Sequence, residues 1–275
     1  MAELMAIVNL TPDSFYAPSR VAPGDAAAFL DRARSFVAAG ASILDLGAVS
    51  TRPGAVLPSL EEEWERLEPA LAALRSQRTD ARISIDTFRA EIVRRAYEVI
   101  GDFIVNDISA GEDDPEMLPT VGRLGLEYVA MHKRGAPGTM DSMCDYPDGV
   151  MAELIRYFAD FERRAAVAGV ERWILDPGLG FAKTVEQNWE ILRHLPELQR
   201  FGRPILIGAA DKRFTREIPT EILAACSPEP LCRPECPLCH PERSEGSPSP
   251  TALGTAIAHR MALQGGAAIL RVHDI

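Results

Sequence analysis

The sequence predicts an α/β fold, a (β/α)8 (TIM) barrel, with an open doubly wound sheet as the competing arrangement. Three observations carry this. Eight short apolar runs punctuate the 275-residue chain, and amphipathic helical stretches separate them. The runs are continuous rather than alternating, as strands covered by helices on both faces should be. The length suits one domain with a full core. Periodicity alone does not decide whether such a parallel sheet closes.

In chain order the predicted strands are Leu4–Leu10, Ile43–Gly47, Ile83–Asp86, Phe103–Asn106, Tyr128–Met131, Trp173–Leu175, Ile205–Gly208 and Ala268–Val272. The helices between them have readable ends. Asp25 can cap a helix carrying Phe29, Ala33, Phe36 and Val37, and Gly40 stops it. Ser59 with Glu62 forms a capping box ahead of Trp64, Leu67, Leu71 and Leu74, and Thr184 with Gln187 repeats that signature ahead of Ile191 and Leu192. Trp64 and Trp189 sit at helical spacing and read as core.

Two stretches depart from the repeat. Residues 227–250 are rich in proline and nearly devoid of aliphatic side chains, so they cannot bury enough apolar surface to offset ordering; they read as a disordered insertion after the seventh strand. The segment splits the seventh helix from a helical stretch at Thr251–Gln264. The sequence then stops at Ile275, directly after the eighth strand, so the final helix of the barrel is missing. One domain, 1–275, is expected.

The formal charge of −11 excludes a basic nucleic-acid footprint and disfavours an anionic membrane surface. No run of eighteen apolar residues occurs, and the N-terminus lacks a basic n-region and a cleavable apolar segment, so a cytoplasmic protein is expected. Five cysteines, four of them crowded between Cys226 and Cys239, do not make a disulfide framework. Cys236–His240 matches the c-type haem attachment pattern, which needs export. Cys226, Cys232, Cys236, Cys239 and His240 could bind zinc instead, but the surrounding prolines favour a spacer. Gly178 and Gly180 make no dinucleotide fingerprint, because Lys183 stands at the third glycine.

Chemistry gathers where the apolar runs end. The first polar groups there are Asn9, Asp45, Asp86, Asn106, His132, Asp176, Lys212, and Arg271 with His273. Any one alone reads as a turn or cap residue. In a barrel all of them face one rim, where such folds place their sites. Asp86, Asn106 and Asp176 suit the donor-rich edge of a planar heterocycle. Lys212, Arg271 and His273 supply local positive charge for an anion. Asn9 offers a hard oxygen for Mg²⁺.

The stretches Asn9–Phe15, Gly40–Ala55, Ser84–Thr87, Val105–Gly111, Met131–Met140, Asp176–Thr184 and Arg271–Ile275 resemble dihydropteroate synthases, in that family's order and over nearly the whole chain. The resemblance implies a closed barrel that binds a pterin diphosphate and para-aminobenzoate in folate biosynthesis, with Mg²⁺, and that is a sulfonamide target. It implies a pterin ring on Asp86, Asn106, Asp176 and Lys212, with Met131 beside it. A diphosphate would lie on Asn9, Arg271 and His273. Loops bearing Asp13, Phe15, Thr51, Arg52 and Pro53 would close over the site and form the para-aminobenzoate pocket with Phe181. A homodimer is also implied. The chain departs from the family at Ala48 and Val49, where Gly and Glu are common, and at Ala210, Asp211 and Arg213, which replace Ser, Arg and Ser around Lys212. Arg213 could grip the aminobenzoate carboxylate or block its pocket. A non-catalytic pterin-binding paralogue is therefore the alternative, and a metal- or partner-binding module in 227–250 on an inert barrel is a third.

Overall fold

The computed structural model describes residues 2–11, 25–49, 57–77, 79–135, 139, 142–225, 249–273 and 275. Eight strands, β1 (Glu3–Asn9), β2 (Ile43–Gly47), β3 (Arg82–Asp86), β4 (Ile104–Asp107), β5 (Glu127–Met131), β6 (Trp173–Asp176), β7 (Leu206–Ile207) and β8 (Ile269–Val272), form one parallel sheet. Its order is β6-β5-β4-β3-β2-β1-β8-β7. A bridge from Leu175 to Ile205 joins the two ends, with the Leu175 N–H donating to the Pro204 carbonyl at 2.9 Å. The sheet is a barrel, and the open alternative is discarded. The seventh strand is shorter than predicted: Ile205 bridges to Leu175 of β6, while its carbonyl still accepts from the Ala268 and Ile269 N–H groups at 2.9 and 3.1 Å.

Around it lie α1 (Ala26–Ala38), α2 (Leu60–Ser76), α3 (Ala90–Ile100), α4 (Met117–Leu124), α5 (Val150–Ala168), α6 (Val185–Arg193), α7 (Thr220–Ala225) and α8 (Pro250–Gln264). The predicted caps form. Asp25 accepts from the Ala28 N–H at 2.9 Å, and both capping boxes close. Such caps satisfy amides that the first helical turn leaves without partners. Residues 227–248 of the predicted insertion lie outside the described residues. Ser249 caps α8 and Pro250 opens it, so the helix begins one residue earlier than the sequence suggested. Pro suits that position because its missing N–H would have no helical partner. Both α7 and α8 precede β8, and only three residues follow Val272.

Two apolar layers hold the barrel. The larger lies between strands and helices; in it Trp173 meets Phe161 edge-on at 5.0 Å and Phe161 stacks on Tyr128 at 5.8 Å. The smaller is a plug inside the barrel, made by Met5, Ile43, Ile104, Val129, Ile174, Leu206 and Ile269. Among the described residues no helix is long and apolar enough to cross a membrane.

Candidate active site

The plug fixes the floor of the site. Side chains along a strand alternate, so the residue two positions beyond each plug member also faces inward, one layer nearer the C-terminal rim. Counting two from Met5, Ile43, Ile104, Val129, Ile174, Leu206 and Ile269 gives Ile7, Asp45, Asn106, Met131, Asp176, Gly208 and Arg271. An apolar plug is thus overlaid by a layer that is mostly polar. Asp86 ends β3 in register with Asn106 and Gly47.

Arg271 joins that layer together. Its Nε donates to Asp45 Oδ2 at 2.7 Å and a terminal nitrogen donates to Asp86 Oδ2 at 2.8 Å. Asp45 is fully buried and also accepts from Ser84 Oγ at 2.6 Å and Asn106 Nδ2 at 3.1 Å. Asn106 therefore has its amide nitrogen turned to Asp45, which leaves its carbonyl oxygen for other partners. Burial opposes the charge of Arg271, but Asp45 and Asp86 more than offset it and hold the guanidinium above its ordinary pKa. Burial raises the Asp86 carboxyl well above the usual range, with Arg271 pulling the other way and Asp45 adding to the rise. Asp45 was recognised in the sequence only as one rim residue among nine. The two-residue offset from Ile43 is the signal that assigns it to the floor.

On the far side, Asp176 Oδ1 accepts from the Gly178 N–H at 2.8 Å, and burial raises its pKa against the pull of Lys212. Lys212 donates to the Leu179 carbonyl and lies 4.7 Å from the centroid of the Phe181 ring, a cation–π contact. Its pKa is pushed down to about 8 by burial, Asp176 opposing. A Cβ on Gly208 would lie 3.9 Å from both Lys212 Nζ and Arg271 Cβ, so this glycine sits between the Lys212 amine and the base of the Arg271 side chain. Phe181, Lys212 and Arg213 line a cleft of about 430 Å³ together with Cys144, Lys183 and Phe214. Arg213 is exposed at the first position of a single 3-10 turn, Arg213–Arg216. Asp211 is exposed too, with its N–H donating to Thr255 Oγ1 at 3.2 Å, so it does not load the floor with another buried negative charge. Ala48 is buried, and its carbonyl accepts from Arg66 on α2 at 3.2 Å.

The rim holds its shape at some cost. The three non-glycine residues described with left-handed φ, Ala110, Ala182 and Asp211, fall in the loops after β4, β6 and β7. Each costs on the order of 1–2 kcal/mol. Gly178 has φ +68°, and a Cβ there would lie 2.0 Å from the His132 carbonyl oxygen.

The structure thus brings Asp86, Asn106, Asp176, Lys212, Met131 and Arg271 to one end of the barrel, with Phe181 beside them. His273 follows β8 at the same end and is half-buried. Asp13, Phe15, Thr51, Arg52 and Pro53 lie outside the described residues. Asn9 Oδ1 and Asp86 Oδ2 both lie 3.9 Å from where a Gly47 Cβ would stand. Among the described residues no cluster of three His, Cys, Asp or Glu could cage a metal. Mg²⁺ needs no such cage when phosphate and water supply most of its oxygens, so the Asn9 amide oxygen fits it.

The profile of the pterin binding enzyme family matches residues 5–273. The chain belongs to the pterin-binding enzyme family. It is 40% identical over 274 residues to a dihydropteroate synthase of Synechocystis, covering 99% of this chain and 85% of that protein. It is 35% identical over 277 residues to the Escherichia coli dihydropteroate synthase, covering 99% and 86%. A solved dihydropteroate synthase from Yersinia pestis, in complex with a sulfonamide drug, superposes with a TM-score of 0.80 at 30% identity, over 99% of this chain and 89% of that one. The Thermus thermophilus enzyme with 4-aminobenzoate gives 0.74 at 34%, with the same coverage.

Proposed function

We infer that the protein is a dihydropteroate synthase, a transferase that joins 6-hydroxymethyl-7,8-dihydropterin diphosphate to para-aminobenzoate and releases dihydropteroate and diphosphate. The observation that carries the reading is the polar layer of Asp45, Asp86, Asn106, Asp176 and Arg271, with Lys212 above it, in a chain 40% identical to a protein of that name.

The chemistry follows from the layer. Asp176, Asp86 and the Asn106 carbonyl accept hydrogen bonds from the amino and ring N–H groups of a pterin, and Lys212 donates to its carbonyl. As the bond from the methylene carbon to the diphosphate oxygen lengthens, positive charge spreads into the pterin and negative charge gathers on the leaving group. Buried carboxylates stabilise the first, while Arg271 and His273 stabilise the second. Mg²⁺ held through Asn9 would supply further countercharge to the diphosphate. The aniline nitrogen attacks from the cleft beside Phe181 and Arg213, positioned so that it competes with water. By the family resemblance, Asp13, Phe15, Thr51, Arg52 and Pro53 are further candidates to contact the second substrate. We extend the reading to a cytoplasmic homodimer, which light scattering checks.

Isothermal titration with the pterin diphosphate and Mg²⁺, followed by para-aminobenzoate in the same cell, tests the reading. Ordered binding of both, with dihydropteroate formed, is expected. Pterin binding without any second-substrate binding would instead identify a non-catalytic relic.

A further inference from the structure

Lys183 is a buried lysine that the reaction does not call for. It lies at the end of the β6–α6 loop, 9% exposed, and its Nζ lies 3.0 Å from the Gly178 carbonyl, 2.9 Å from the Phe181 carbonyl and 3.0 Å from His132 Nδ1. Burial pushes the Lys183 pKa down to about 7, with Asp176 opposing, and as an ammonium its three N–H bonds match these three partners. His132 is held neutral by burial and by the neighbouring lysine, so its Nδ1 can accept from Lys183. The backbone of His132 is anchored at the end of β5, its N–H donating to the Asp176 carbonyl at 3.0 Å. Lys183 therefore fastens the loop after β6 to the end of β5.

The loop needs fastening. Gly178, Gly180 and Ala182 all have left-handed φ, at +68°, +79° and +50°. No regular ladder runs through these residues, and side chains take its place. Asn188 Oδ1 accepts from the Gly180 N–H at 2.6 Å, and Tyr146 Oη donates to the Ala182 carbonyl at 2.9 Å. Lys212 donates to the Leu179 carbonyl. Lys183 differs from these in what it holds. Gly178, whose carbonyl it grips, gives its N–H to the Asp176 carboxylate. Phe181, whose carbonyl it also grips, presents its ring to Lys212 Nζ. One buried amine thus spans the two substrate-facing features of the loop.

We propose that Lys183 is a positioning residue: its three hydrogen bonds fix the Gly178–Phe181 turn so that the Phe181 ring is set against Lys212 as a wall of the second-substrate cleft. This rests on the synthase reading for the identity of that substrate, but the geometry of the turn stands apart from it. A merely structural role would lower stability and leave the second-substrate KM alone.

The test compares Lys183→Met and Lys183→Arg with the parent enzyme, and includes Tyr146→Phe, which removes one hydroxyl from the same turn. Lys183→Met should raise the KM for para-aminobenzoate on the order of tenfold, as loss of an orienting contact behind a binding group commonly does. The dissociation constant for the pterin diphosphate should change less than about threefold, because Asp86, Asn106 and Arg271 are untouched and Asp176 is carried by β6 rather than by the loop. Lys183→Arg should restore part of the loss. Amide exchange across residues 178–183 should accelerate by about tenfold or more in Lys183→Met. If Lys183→Met does not fold, Tyr146→Phe should raise the same KM by a smaller factor and speed exchange in the same loop. A folded Lys183→Met with parental KM and parental exchange overturns the proposal, as does an unchanged Tyr146→Phe where Lys183→Met cannot be made. If the parent protein has no synthase activity, the functional reading fails, and the exchange measurement alone decides the role of Lys183.

Discussion

Replacing Arg271 with Met removes the one side chain among the described residues that bonds both Asp45 and Asp86. The floor is then left with a fully buried carboxylate and a second one 24% exposed, and no guanidinium between them. Breaking a buried ion pair from one side typically costs 3–5 kcal/mol, because the remaining charge is desolvated without compensation. Arg271 is itself 25% exposed, so screening places the expected loss at the low end, about 3 kcal/mol at pH 8. The sign with pH follows from the direction of the Asp86 shift. Burial already raises its pKa and Arg271 opposes the rise, so the variant carries a folded-state pKa further above the unfolded value. A carboxyl of that kind contributes stability that is complete below its unfolded pKa and lost as pH rises through the folded one. Urea unfolding at pH 5 and pH 8 reads this directly: the variant should lie closer to the parent at pH 5 than at pH 8. A loss under about 1 kcal/mol, equal at both pH values, would refute the view that Arg271 neutralises the floor.

Other positions give sharper contrasts. Gly178→Ala should cost more than about 3 kcal/mol, because its Cβ meets the His132 carbonyl, whereas Gly202→Ala, with φ +61° and open space, should cost about 1 kcal/mol; melting temperatures of the two separate clash from strain. Lys212, with its pKa pushed down to about 8, loses its ammonium as pH rises through that value, so kcat/KM should fall on an alkaline limb near pH 8. Lys212→Arg should move that limb upward; a limb that stays put assigns it to another group. Arg213→Ser should raise the para-aminobenzoate KM about fivefold and weaken its salt dependence, as loss of a charge-assisted contact would. A lowered KM would mean that Arg213 obstructs the cleft.

Asn106, Asp176, Lys212 and Arg271 were legible in the sequence because each follows an apolar run, and a parallel barrel sends all such ends to one rim. The capping boxes at Ser59 and Thr184 were legible because capping is local: three residues suffice to specify it. Asp45 was visible as a residue but not as a member of the floor. Its role depends on side chains from β3, β4 and β8 converging on it, and Arg271 is 226 positions away. Closure of the sheet was beyond periodicity too, since it rests on the Leu175–Ile205 bridge between strands whose local patterns allow either an open or a closed sheet. Lys183 reads in sequence as the residue that spoils a glycine motif. Only the tertiary structure gives it His132, Gly178 and Phe181 as partners, because what a buried charge can do is set by the acceptors that the fold brings to it. The sequence by itself determined the order of the elements, their caps and the residue types at the rim, since these follow from short-range sterics and burial pattern. Which rim residues pair, and which are held as ions, was decided only by the fold, since Coulomb and hydrogen-bond energies depend on distances that no local segment specifies.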